Sequence, residues 1–252
     1  MYSLETRKLC KSFGALTVAD NIDFRLEPGA RHALIGPNGA GKTTFVNMLM
    51  GALAPSSGEI LLGGEPITQV KQYARVRRGL ARTFQVTTLF RHLSVLDNVA
   101  LGIAEREGTA TRMWKPASRH GEIKDESMQL LAALGLADDA ATRVADLPYG
   151  KQRLVEIAIA LGLRPKVLLL DEPAAGVPSH ESDLILRNLE KLPPGIAILI
   201  IEHDMDLVFR FARRITVLVQ GVVLVEGTPE EIARDRRVHD VYLGEMSGSA
   251  HA

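Results

Sequence analysis

The run Gly36-Pro37-Asn38-Gly39-Ala40-Gly41-Lys42-Thr43-Thr44 constrains this chain more than any other stretch. It fits the pattern G-x-x-x-x-G-K-[ST]. Before it, Arg31-His32-Ala33-Leu34-Ile35 ends apolar, as a buried strand does. After it, Thr44-Phe45-Val46-Asn47-Met48-Leu49-Met50 reads as a helix. Strand, loop and helix in that order are the context in which the pattern makes a phosphate-binding P-loop. Glycines let the backbone bend with positive φ and bring successive N–H groups close to phosphate oxygens. The helix N-terminus adds unpaired donors and a partial positive charge. Lys42 has the reach for β and γ phosphates, and the Thr43 hydroxyl suits magnesium.

The chain has 252 residues, enough for one large domain or a domain with an inserted subdomain. Its 30 basic and 30 acidic residues cancel, so no global field favours nucleic acid. One cysteine, Cys10, forms no internal disulfide and suits a reducing compartment, where it reads as a small buried hydrophobe. Met1 to Cys10 is charged and lacks the apolar stretch of a signal peptide. The longest apolar runs, such as Ile196 to Ile201, are strand-length. They fall far short of the roughly 18 residues of a spanning helix, so a soluble chain is expected, free to dock on a membrane protein.

Leu4 to Leu9 and Asn21 to Leu26 alternate and read as strands, as does Gly58 to Leu62. The first part is expected to be an antiparallel sheet beside the P-loop core. Phe13, between these strands, reads either as a packing residue in a turn or as a stacking platform for adenine. Arg75, Arg77, Arg78 and Arg82 read as a solvated helix face. Gln85 follows a β-prone segment; its amide is either an ordinary polar group or a ligand for magnesium or water. Ser94 is the expected cap of a helix with Asp97 at the box position. Glu105 to Gly121, with Met113 and Trp114, reads as a surface loop or broken helix. Glu122 to Leu134 is an amphipathic helix.

Leu147-Pro148-Tyr149-Gly150-Lys151 leads into a helix with Leu154, Ile157, Ala158 and Leu161 on one face. Taken alone it is a helix entry. Val167 to Leu170 is a continuous apolar run that fits a strand buried on both faces, and it ends in Asp171 and Glu172. Ligands bind at that end of the strands in parallel sheets. There Asp171 suits magnesium, and Glu172 suits an attacking water. Ser179 to Leu192 is a second amphipathic helix. Ile196 to Ile201 is a second buried strand, ending in Glu202-His203-Asp204, which brings His203 toward the same sheet edge. Gln220-Gly221 reads as a hairpin turn, and Thr228 opens a last helix with a capping box.

With these motifs in this order, residues 3 to 244 resemble the ATP-binding cassette (ABC) ATPase subunits of membrane transporters. The resemblance implies an α/β fold: a P-loop NTPase (RecA-like) core, an antiparallel β subdomain and an inserted α-helical subdomain. It places a single nucleotide-binding domain at residues 1–246, with the helical insertion at about 86–163 and a disordered tail at 247–252. It implies ATP and Mg2+ as cofactors. Phe13 matches the family's adenine-stacking aromatic. Gly36, Pro37, Asn38, Gly39, Ala40, Gly41, Lys42, Thr43 and Thr44 match its P-loop, and Gln85 its Q-loop glutamine. Asp171 matches the magnesium aspartate, Glu172 the catalytic glutamate and His203 the switch histidine. Thr43, Gln85 and Asp171 are thus the implied metal ligands.

Ala81 to Gln85, Asp171 to Gly176, Ile201 to Met205 and Tyr242 to Glu245 are similar to the longer ATPase subunit of branched-chain amino acid importers. That implies uptake powered through two transmembrane permease subunits, at the cytoplasmic face of the membrane. It also implies a second ABC ATPase subunit, as heterodimer or homodimer, an extracytoplasmic substrate-binding protein, and no nucleic acid. The family signature Leu-Ser-Gly-Gly-Gln stands here as Leu147 to Lys151, with Tyr149 and Gly150 as its implied nucleotide contacts. Pro148 replaces a serine and carries neither hydroxyl nor N–H. An ABC ATPase for another cargo, or one acting on ribosomes or DNA, is the alternative.

Overall fold

The computed structural model describes residues 1–83, 89–108 and 117–241. The strands are β1 (Leu4–Phe13), β2 (Leu16–Leu26), β3 (Arg31–Ile35), β4 (Ser57–Leu62) and β5 (Glu65–Pro66). They continue as β6 (Leu80–Arg82), β7 (Val167–Asp171), β8 (Ala197–Ile201), β9 (Arg214–Val219) and β10 (Val222–Gly227). The helices are α1 (Lys42–Met50), α2 (Gln72–Arg77), α3 (Val95–Arg106) and α4 (Ala117–Ala133). After them come α5 (Tyr149–Gly162), α6 (Ser179–Glu190), α7 (Met205–Phe211) and α8 (Pro229–Arg234).

β7 and β8 are apolar throughout because both faces of their sheet are covered. The sheet order is β10-β9-β3-β8-β7-β6, and its strands run parallel except for the β9–β10 hairpin. Successive side chains go to opposite faces. Leu168, Leu170, Ile198 and Ile200 join one core with α3, α5 and α6. Val167, Leu169, Leu199 and Ile201 join a second core with α1 and the antiparallel sheet. In that second core Phe24 meets Phe45 edge to face, with ring centroids 5.6 Å apart. Each such side chain contributes about 1.5–3 kcal/mol by leaving water.

The antiparallel sheet has the order β2-β1-β4-β5. β1 and β2 are longer than their alternation suggests. Register shifts interrupt their ladder, and Lys8 and Asn21 take positive φ (45° and 48°). Such bulges throw the inside-outside alternation out of step without ending the strand. Phe13 accordingly closes β1 rather than sitting in a free turn. Cys10 is only half-buried, and its sulfur accepts from the Asn21 amide at 3.2 Å. It is therefore not the buried hydrophobe that composition suggests.

Between β6 and β7 the described residues form mainly helices, with α3 packed on α5 and α4 against both. The Ser94 hydroxyl accepts from the Asp97 amide at 3.0 Å and caps α3. Asp97 returns the contact to that hydroxyl rather than to the Ser94 backbone, so the box is incomplete. α4 begins at Ala117, inside the stretch read as loop; Met113 and Trp114 lie outside the described residues.

The arginine cluster is a solvated face only in part: Arg77 and Arg78 are exposed, whereas Arg75 and Arg82 are enclosed. Arg75 is 1% exposed and donates to the carbonyls of Met48 (2.7 Å), Leu49 (2.6 Å), Thr68 and Val70 (both 2.8 Å). Two of these carbonyls end α1, where a cation meets the negative pole of the helix. Its burial lowers its pKa below the usual arginine value. Arg82 is also enclosed, paired with Asp171.

Candidate functional site

Parallel pairing brings the ends of β3, β7 and β8 to one sheet edge. Leu34 lies opposite Ile201, and Ile201 lies opposite Asp171. The chain leaves β3 into Gly36–Gly41, β7 into Glu172 and β8 into Glu202-His203. Gly39 and Gly41 have φ of 77° and 100°. At Gly41 an added Cβ would press on the Val18 carbonyl at 2.6 Å, so glycine is required there for space as well as conformation. Gly41 also caps α1 without a side-chain acceptor, leaving first-turn amides for an anion.

Within the loop, Asn38 and Gly39 are exposed, while Gly36 and Ala40 are buried and Pro37 is half-buried. Lys42 turns its ammonium back onto the carbonyls of Gly36 (2.5 Å) and Pro37 (2.9 Å). Thr43 is exposed and Thr44 half-buried in the first turn of α1.

Asp171 ends β7 almost buried, its side chain 7% exposed and its Oδ2 paired with Arg82 Nη2. Glu172 has φ 47°, uncommon for a residue with a side chain. Its amide donates to the Ile201 carbonyl at 2.8 Å, which ties the turn to β8. Its Oε1 lies 3.8 Å from Nδ1 of His203, whose ring is exposed. Glu172 and His203 thus stand together beside the P-loop strand.

Glu202, one residue before His203, received no role from the sequence. Its side chain is 1% exposed, accepting from the Ala174 amide (3.2 Å) and the His203 amide (3.1 Å). Burial pushes its pKa up, and these backbone donors pull it partly back. The carboxylate splices the loop after β7 to the loop after β8. The available signal was a lone acid closing an otherwise apolar strand.

Phe13 is 52% exposed, and the Lys11 ammonium stands 4.9 Å from its ring centroid. Tyr149 begins α5 with its ring under the Arg153 guanidinium, 5.0 Å away. Pro148 at the N-cap offers no side-chain acceptor. The Gly150 amide is nevertheless occupied: it donates to Glu181 Oε2, from α6, at 2.6 Å. Gln85 and the run Tyr242 to Glu245 lie outside the described residues.

Fold and edge together define a P-loop nucleotide-binding cassette. A family model described as ABC transporter matches residues 19–175. A second, for a branched-chain amino acid ATP-binding cassette transporter, matches residues 222–246. BraF of Pseudomonas aeruginosa, a high-affinity branched-chain amino acid transport ATP-binding protein, is 36% identical over 249 residues, covering 96% of this chain and 98% of BraF. LivG of Escherichia coli K12, of the same description, is 37% identical over 251 residues, covering 96% and 98%. Among solved structures, the ADP conformation of MJ1267, an ATP-binding cassette of an ABC transporter, superposes with a TM-score of 0.85 at 29% identity, covering 97% of this chain and 99% of that one. The chain belongs to the ABC transporter family of ATP-binding cassettes, whose characteristic activity is ATP hydrolysis.

Proposed function

We propose that this chain is the ATP-hydrolysing subunit of an importer for branched-chain or other hydrophobic amino acids. The observation that carries the reading is the shared edge: the ends of β3, β7 and β8 lie side by side, and the P-loop, Glu172 and His203 follow directly from them. Near full-length similarity to BraF and LivG supports the cargo class. Among the described residues no helix is long and apolar enough to cross a membrane. Transport therefore calls for partners: two transmembrane permease subunits, with this chain peripheral on their cytoplasmic side. A second cassette and an extracytoplasmic binding protein complete the assembly.

In this reading adenine stacks on Phe13, and the triphosphate lies across Gly36–Thr44 at the positive end of α1. Lys42 exchanges the Gly36 and Pro37 carbonyls for phosphate oxygens. Among the described residues no group of three or more His, Cys, Asp or Glu could hold a metal ion. A cation here relies on phosphate oxygens and water for most of its shell, which is the habit of magnesium. Thr43 and Asp171, with Gln85, are the residues to hold it. Magnesium, when bound, neutralises charge on the phosphate oxygens.

Glu172 orients the attacking water and accepts its proton, while His203 lies in reach of the phosphate being transferred. The start of α5 faces the nucleotide of the second cassette. There the Gly150 N–H serves one acceptor at a time, so Glu181 and a partner-held phosphate compete for it.

The test is a pull-down with the Glu172→Gln chain and Mg-ATP from detergent-solubilised native membranes. Recovery of two membrane subunits and a second ATPase is expected. Recovery of ribosomal or DNA-bound proteins, with no membrane subunit, overturns the transport reading.

A further inference from the structure

Three segments carry the residues assigned to the cation: the first turn of α1, the end of β7 and the chain after β6. Arg82, the last residue of β6, touches α1, one turn beyond that first turn, and the end of β7 at once. Its Nη1 donates to Asn47 Oδ1 at 2.8 Å, and its Nη2 is ion-paired with Asp171 Oδ2. Asn47 lies four residues beyond Thr43 on α1, so the two share a face of that helix. β6 runs parallel to β7 with Arg82 opposite Leu169, two residues short of Asp171. The Arg82 side chain is 12% exposed and that of Asp171 7%.

A planar guanidinium holds its donors at fixed angles, so two of them engaged on two elements fix the spacing between those elements. The same contact compensates a carboxylate that is almost removed from water. With Oδ2 engaged by Arg82, Oδ1 is left for a cation or its water.

We propose that Arg82 is a positioning residue for the magnesium–nucleotide site, holding Asp171 and the Thr43-bearing helix at the separation that a bound cation requires. This rests on the reading that Asp171 serves the cation. Groups that orient a metal ligand in this way typically change metal affinity by about 10- to 100-fold when removed. Nucleotide bound without a divalent ion depends on the P-loop amides and Lys42, and does not call on Arg82.

The experiment uses the full chain and a fluorescent ATP analogue, read by binding rather than turnover. Magnesium is titrated at fixed analogue, and manganese binding is followed in parallel by electron paramagnetic resonance. Arg82→Met is expected to raise the half-saturating magnesium concentration at least about 10-fold. Its affinity for the analogue in EDTA should stay within twofold of the parent. Arg82→Lys, which keeps the charge but loses the fork, should fall between. Should Arg82→Met not fold, Asn47→Ala removes one arm of the clamp and leaves the ion pair; a severalfold rise is expected of it.

Asp171→Asn separates the two ways of failing. If it raises the magnesium requirement and the Arg82 and Asn47 variants do not, the positioning role is overturned and the site assignment stands. If Asp171→Asn itself has no effect, the assignment of Asp171 to the cation falls, and the role of Arg82 with it.

Discussion

The carboxylate of Glu181 stands 2.6 Å from the amide nitrogen of Gly150, joining the third residue of α6 to the first turn of α5. The arrangement answers a vacancy in the sequence. Pro148 occupies the N-cap of α5 and has no side-chain oxygen. Glu181, 31 residues beyond Gly150, supplies the acceptor instead. A charged acceptor also suits the positive end of a helix.

From this a stability difference follows. Glu181→Ala should destabilise the chain by about 1 kcal/mol, the usual cost of losing an N-cap acceptor. The loss should shrink in a Pro148→Ser background, because serine there restores a local acceptor. Denaturant midpoints of the four members of that double-mutant cycle check it; equal losses in both backgrounds would separate Glu181 from the cap.

Arg75 leads to a larger effect. Four backbone carbonyls share its guanidinium, two of them at the end of the P-loop helix. Arg75→Met fills much of the volume but leaves those acceptors without their charged donor. A loss of about 3 kcal/mol is expected, the scale of hydrogen bonds to a charged group. For a chain of this size that lowers the melting temperature by roughly 6–12 °C. A solvent-exposed arginine would show almost no change, so a thermal melt distinguishes the two.

His32 carries a pH dependence. Its ring is 1% exposed, Nε2 is 2.8 Å from the Thr216 hydroxyl, and that hydroxyl donates to Glu226 at 2.9 Å. Burial pushes the His32 pKa down from 6.5 to about 4; Glu226 opposes that shift and Arg214 adds to it. The native ring therefore stays neutral in a range where the unfolded ring is protonated. Stability from this residue is fully present above pH 6.5 and is lost as pH falls toward 4. The whole shift corresponds to about 3 kcal/mol. His32→Gln removes the titration, so the wild-type-minus-variant difference in unfolding free energy should rise with pH between 4 and 6.5. A flat difference would contradict a buried neutral ring.

Much of the architecture could be read from local pattern. The continuous apolar runs of β7 and β8 announce strands covered on both faces. Gln220 and Gly221, both at positive φ (48° and 81°), form the tight turn that their pairing suggested. Thr228 and Glu231 complete a capping box. The residues of the candidate site were legible as types, because strand-loop-helix order and strand-terminal acids leave a local trace.

What escaped depends on distant partners. Arg75 and Arg82 look like surface charges until the carbonyls of α1 and the carboxylate of Asp171 are brought beside them. Glu202 and Glu181 act through amides 28 and 31 residues away, and no local spacing encodes that. The extra length of β1 and β2 was hidden by bulges that break the alternation by which strands are recognised.

The central claim is that the edge carrying Lys42, Asp171, Glu172 and His203 hydrolyses ATP. The direct measurement is steady-state phosphate release by the assembled complex containing Glu172→Gln, with nucleotide binding measured on the same preparation. If Glu172 accepts the water's proton, its loss should slow turnover by about 10²–10⁴-fold, while ATP affinity stays near that of the parent. Hydrolysis at close to the parental rate would remove Glu172 from the chemistry and contradict the account.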